Sequence, residues 1–132
     1  MRSIILALSV LSSLGLAACA TSANAPIGVG GPIRGDGQAR LNEPTRVGPL
    51  VFTPKEVVED SRCPSGVQCV WAGRLVLLTR IDGPGWRQTI PLALGEDQPI
   101  GGHVVRLANA RPAPVAGQPI APGTYIFAFQ LR

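Results

Sequence analysis

The sequence predicts an all-β domain, a sandwich or barrel of about seven or eight short strands carrying one disulfide-stapled loop. Three observations predict it. From Gln38 onward, short apolar runs are broken by proline or glycine about every eight to twelve residues, the spacing of strands joined by turns. Nowhere in that region do apolar residues recur three and four apart over the length a helix needs. Cys63 and Cys69 stand six positions apart with Pro64, Ser65 and Gly66 between them, turn formers that let the chain double back to a disulfide's short Cα separation.

The elements follow in order. Gln38–Leu41 begins weakly. Val47–Phe52 and Lys55–Glu59 come next, and Pro49 and Pro54 confine them to sheet edges or strand ends because proline has no N–H for the ladder. Glu59 to Gly73 is the stapled loop, the one place where two cysteines, a tryptophan, an acidic pair and an arginine fall together. Arg74–Ile81 is apolar on both faces, which marks a central strand fed directly by the loop. Asp82-Gly83-Pro84-Gly85 is a turn, and Trp86, Gln88, Ile90, Leu92 and Leu94 alternate as one face of the returning strand, with Pro91 placing one side of it at an edge. His103–Leu107 is a further strand, ending before Arg111-Pro112-Ala113-Pro114. Tyr125, Phe127, Phe129 and Leu131 form the inward face of the last. A domain of this size holds one modest core, which a disulfide supplements.

The first residues read as an address. Arg2 supplies a positive n-region and Ile4–Leu16 an apolar h-region too short to span a bilayer, so residues 1–18 are expected to be removed as a signal peptide. Leu16-Ala17-Ala18-Cys19 resembles the lipobox of bacterial lipoproteins, which implies lipidation of Cys19 as the new N-terminus. An ordinary secretory cut at Ala23-Asn24-Ala25 is the alternative. Several acyl chains such as palmitate, each buried CH₂ contributing about 0.8 kcal/mol, tether a protein without spanning the membrane. Ala20 stands where inner-membrane lipoproteins carry aspartate, which by the same resemblance favours the outer membrane facing the periplasm. Residues 19–37, rich in glycine and lacking apolar periodicity, read as a flexible tether, leaving residues 38–132 as the domain.

Asp60-Ser61-Arg62-Cys63-Pro64 and Cys69-Val70-Trp71-Ala72-Gly73 resemble a family of small, largely uncharacterised bacterial lipoproteins and secreted proteins with the pattern D-S-R-C-P, a few residues, then C-x-W-A-G. The resemblance implies an immunoglobulin-like antiparallel β-sandwich and brings no catalytic residues. Three roles are then weighed at the loop. Cys63 and Cys69 are expected to be a disulfide contributing about 2 to 3 kcal/mol, against a redox pair, for which Cys-x-x-Cys spacing is more natural, or a soft-metal site, for which His103 is the only histidine. Glu59, Asp60 and Arg62 form either a recognition surface or, as preferred, a local ion pair and turn cap. Trp71 is either an exposed binding anchor or, as preferred, a ring packed on the disulfide on the same side as Cys69.

Chemistry is sparse elsewhere. The net charge of +4 falls to +3 without Arg2, and the basic residues are scattered, so no run points to nucleic acid. There is no nucleophile elbow, no phosphate-cradling glycine loop and no His-x-x-x-His, and Glu59 and Asp60, adjacent in a strand, face opposite sides and cannot act as an acid/base couple. No cofactor and no catalytic or metal site is expected. The sequence leads to a lipid-anchored envelope lipoprotein acting as a non-catalytic binding or interaction module, with the membrane and an envelope protein or component as partners and Asp60, Arg62 and Trp71 as candidate contacts. A structural or stress-tolerance lipoprotein with no dedicated ligand is the alternative.

Overall fold

Alternation along the strands builds two sheets in residues 32–132, which the computed structural model describes. The strands are β1 (Gln38–Ala39), β2 (Thr45–Val47), β3 (Leu50–Asp60), β4 (Leu75–Gly83), β5 (Trp86–Ala93), β6 (Asp97–Ile100), β7 (His103–Arg111) and β8 (Ile126–Leu131). They form two four-stranded antiparallel sheets in the orders β2-β3-β4-β5 and β1-β8-β7-β6. The all-β sandwich with its Cys63–Cys69 disulfide is therefore as expected. Its likeness to an immunoglobulin domain lies in the two packed sheets; each sheet is threaded as a meander of sequence neighbours, with β1 added beside β8. The expected signal peptide, Cys19 and most of the tether lie outside the described residues. Among the described residues no helix is long and apolar enough to cross a membrane.

The core is the sum of the inward faces. Leu75, Leu77, Thr79 and Ile81 of β4 are buried at every second position, as are Tyr125, Phe127 and Phe129 along β8 and the residue before it. Phe52 of β3 and Phe129 of β8 stack across the sheets with ring centroids 4.8 Å apart, each such burial stabilising by about 2 to 3 kcal/mol. Trp86 closes one end of the sandwich. A Cβ on Gly83 would lie 2.3 Å from its ring and one on Gly101 2.2 Å, so the indole spans the β4–β5 turn and the β6–β7 turn only because both are glycine.

Three elements differ from the sequence reading. The run expected as Val47–Phe52 is split by a turn at Gly48-Pro49 between β2 and β3, its later part joins the run after Pro54 in one strand, β3, and Pro54 lies inside it although β3 is not an edge. The reason is that β2 ends early: its last pair is Thr45 with Phe52, so the side of β3 on which Pro54 lacks an N–H has no ladder there, and the Pro54 carbonyl accepts Asn42 N instead at 2.7 Å. β6 is an additional edge strand, hidden in the sequence by Pro99. Chain expected in the tether is already bonded to the domain: Arg46 N donates to the Arg34 carbonyl (2.7 Å) and Phe129 N to the Gly37 carbonyl (2.9 Å).

Candidate functional site

β3 carries two register shifts against β4, between Pro54 and Glu56 and between Val57 and Glu59. Each adds one residue, so the positions opposite the inward side chains of β4 run Phe52, Pro54, Val57, Asp60 instead of every second residue. The consequence is that Asp60 turns into the sandwich at its end, opposite the buried Leu75. Glu59 faces out.

Inside, Asp60 meets two partners. Arg62 donates from Nε to Oδ1 and from Nη2 to Oδ2, both at 2.7 Å, a bidentate pair whose side chains are 12 % and 13 % exposed. The Tyr125 hydroxyl donates to Oδ2 at 2.8 Å. Arg62 continues across to the other sheet, giving Nη1 to the Ala110 carbonyl (2.9 Å) and Nη2 to the Pro112 carbonyl (3.1 Å). Asp60 belongs to one sheet while Ala110 and the lead-in to β8 belong to the other, so this polar cluster clamps the two sheets together. Burial would raise the Asp60 carboxyl, but the hydrogen bonds from Arg62 and Tyr125 outweigh it and hold the group below the usual carboxylate range. Tyr125 is pushed up to about 12, first by burial and then by the Asp60 carboxylate it bonds.

The loop leaves this clamp through a tight neck. Ser61 N donates to the Arg74 carbonyl (2.8 Å), and Ser61 Oγ accepts Arg74 N (3.0 Å) and donates to Glu59 (2.9 Å). Arg74 Nε donates to Glu59 at 2.8 Å, and that bond, then the one from Ser61, holds the Glu59 carboxyl below its ordinary value. Gly73 makes the neck possible: its φ is +66°, and a Cβ there would stand 1.7 Å from the Ser61 carbonyl oxygen. Farther out, Cys63 and Cys69 are bridged with Cα atoms 5.9 Å apart, and Ser65 N donates to the Pro114 carbonyl (3.0 Å), docking the loop on the β7–β8 connection.

What the loop presents is apolar. Trp71 is 82 % exposed and Val70 90 %, joined by the half-exposed Val67 and, on the docked connection, Val115. This overturns the expected packing of Trp71 on the disulfide: with the neck pinned at Ser61 and Arg74, the segment from Val70 to Ala72 is exposed and bears the ring outward. The tryptophan that does pack is Trp86, at the other end. Asp60 and Arg62, candidates for contact, instead sit in the clamp as an ion pair and turn contact, with Arg62 N 3.4 Å from Asp60 Oδ1. Beside the loop lies a hollow of about 340 Å³ lined by Pro112, Val115, Pro119, Ile120 and Thr124 among others. His103 opens β7 at the Trp86 end, far from all of this.

The sequence reading did not find Tyr125 as a partner of Asp60, nor Val70 and Val115 as surface groups. Half of the signal for Tyr125 was present, since a tyrosine in an inward series needs a partner for its hydroxyl, but no local pattern names Asp60 as that partner. Among the described residues no group of three or more His, Cys, Asp or Glu side chains is placed to hold a metal ion. No family model, curated protein or solved structure matches the chain.

Proposed function

We propose that this chain is a lipid-anchored bacterial envelope lipoprotein, its signal peptide removed and Cys19 acylated in the outer membrane facing the periplasm, and that it works as a non-catalytic interaction module contacting an envelope protein or component through the stapled loop. The lipobox-like Leu16-Ala17-Ala18-Cys19 and the resemblance carried by Asp60-Ser61-Arg62-Cys63-Pro64 and Cys69-Val70-Trp71-Ala72-Gly73 support the address. The observation that carries the binding role is Trp71, with Val70, held in the open on a loop fixed at its neck, by its disulfide and by Ser65. Exposing a tryptophan and a valine on a rigid support forgoes several kcal/mol of burial, on the order of 1.5 to 3 for each large side chain, and rigid aromatic groups of this kind are the usual anchors of interfaces. The ionisable groups around the loop, Glu59, Asp60, Arg62 and Arg74, are all engaged with one another, which fits a scaffold better than a reaction centre.

The test is crosslinking capture from envelope extracts with wild type, Trp71→Ala with Val70→Ser, and Val58→Ala as a control at an exposed valine on β3. A partner retained by wild type and the control and lost by the loop variant supports the reading. Identical capture by all three moves the contact surface elsewhere.

A further inference from the structure

The outer face of the β2-β3-β4-β5 sheet carries a group of arginines at the end opposite the stapled loop. Thr45, Phe52 and Ile81 are paired across β2, β3 and β4 and all are buried, so the next rung, Arg46, Val51, Asp82 and Arg87, faces out across all four strands. Arg80 stands two residues before Asp82 on the same face of β4. Both neighbouring arginines converge on the Asp82 carboxylate through Nε: Arg80 donates to Oδ2 at 3.0 Å and Arg87 to Oδ1. Two guanidinium groups are thus gathered at one carboxylate, and among the described residues none of their Nη atoms has a protein acceptor. Arg46, two strand spacings or roughly 10 Å from Asp82 at the backbone, is exposed and has no ion pair among the described residues. Its N–H bonds the carbonyl of Arg34, which is also exposed, and Asp36 lies close by, accepting the Thr45 hydroxyl at 3.4 Å. Four arginines here meet two carboxylates, a surplus of two positive charges.

A guanidinium held by Nε keeps its Nη donors for a second acceptor, and such planar forks match the oxygens of phosphate. Spread over the outer face of a sheet, they suit phosphates arrayed in a plane better than one small anion. The chain that leads from Cys19 joins the fold at Arg34, beside Arg46, so the charged end is also the end at which a lipid-anchored chain is tethered. We propose that Arg46, Arg80 and Arg87 form a membrane-facing surface that binds the phosphate groups of anionic lipids in the bilayer holding Cys19. The proposal rests on the lipoprotein reading and extends it to an orientation: with this end on the lipid, the stapled loop stands at the other end of β4, roughly 25 Å away, and meets a partner off the membrane.

Arginine footprinting with phenylglyoxal tests it, using the acylated chain reconstituted in vesicles of phosphatidylcholine alone or mixed with phosphatidylglycerol, with labelling read by peptide mass spectrometry. At low salt, labelling of Arg46, Arg80 and Arg87 is expected to slow about ten-fold when phosphatidylglycerol is present, and high salt should remove the difference. Arg40 and Arg111, at the loop end, should keep their rate. Arg46→Gln with Arg87→Gln should return Arg80 to the rate seen on phosphatidylcholine, whereas Arg40→Gln with Arg111→Gln, which removes the same charge at the other end, should leave the protection intact. Protection of Arg40 and Arg111 as strong as that of the cluster, loss of protection in both double variants alike, or the same protection from inorganic phosphate without vesicles would each overturn the proposal. An acylated chain labelled equally in both vesicle types removes this proposal alone. A purified chain whose mass shows no acyl groups removes the lipoprotein reading and the proposal with it.

Discussion

Replacing Asp60 by asparagine is the sharpest test of the clamp, because Tyr125 is the only tyrosine in the chain and reports on it directly. In the native protein the phenol should ionise at about 12, against about 10 for a free tyrosine, a difference on the order of 3 kcal/mol between the neutral and charged forms. Burial supplies the first part of that shift and the Asp60 carboxylate the second. Asparagine keeps the shape and an acceptor oxygen but removes the negative charge, so the midpoint should fall while staying above about 10, because the ring remains buried. A raised folded value means that this group's contribution to stability is fully present below about pH 10 and is lost as pH rises through about 12, so alkaline unfolding should follow the tyrosine. The same variant leaves the Arg62 guanidinium half-caged with only the Ala110 and Pro112 carbonyls, which should cost about 3 kcal/mol in a denaturant melt at neutral pH. The assay is the ultraviolet tyrosinate band followed against pH, with circular dichroism recorded in parallel. A wild-type midpoint near 10 in a protein that still shows its native sheet spectrum would falsify the clamp, as would an unchanged midpoint in the variant.

Four further outcomes are expected. Lowering the pH should destabilise the wild type as Asp60 is protonated, since a depressed carboxyl contributes stability above its unfolded value of about 4 and loses it as pH falls through the folded one; the Asp60→Asn protein should lack that phase in acid melts. Cys63→Ser with Cys69→Ser should lower stability by about 2 kcal/mol, as expected for so short a loop, and peptide mapping without reductant should find the two cysteines linked in the native protein. Gly73→Ala should be far worse than its size suggests, about 2 kcal/mol or more in urea melts, because the new methyl collides with the Ser61 carbonyl in a left-handed backbone; tolerance within about 0.5 kcal/mol would show that the neck is wrongly described. Trp71→Ala should leave stability within about 0.5 kcal/mol, whereas Trp86→Ala should cost about 2 kcal/mol, and a reversed ranking would exchange their roles.

The contrast between those two tryptophans shows where a sequence stops being legible. The β4–β5 hairpin and the final strand could be read directly from their turn residues and alternating apolar positions, and the central place of β4 from its apolar residues on both faces, although Gln88, expected on the inward face of β5, is exposed. β3 could not. Its two register shifts move the inward series from Phe52 and Pro54 to Val57 and Asp60, so a period of two misassigns everything past Pro54 and hides the reason an aspartate lies inside. Trp71 was assigned from its distance to Cys69 on the assumption that the chain stays extended there, and the neck at Ser61, Gly73 and Arg74 removes that assumption. The Trp86 ring seat depends on Gly101, a contact between two turns that no local pattern announces. At the site itself, the pairing of Asp60 with Arg62 is local and was visible; its union with Tyr125 joins residues from different sheets and exists only once both have formed.

Placing one tryptophan at each end of the sandwich has a practical consequence for anyone handling the protein. Trp71 sits in water on the stapled loop, and Trp86 lies across two glycine turns at the far end of β4. Their emission should differ in colour, red-shifted for the first and bluer for the second, so one spectrum contains two independent reporters. A molecule docking at the loop end should alter only the red component, and loss of the fold should alter the blue one. Occupancy and integrity can thus be followed separately in a single cuvette, without a label, by comparing the native chain with Trp71→Phe and Trp86→Phe.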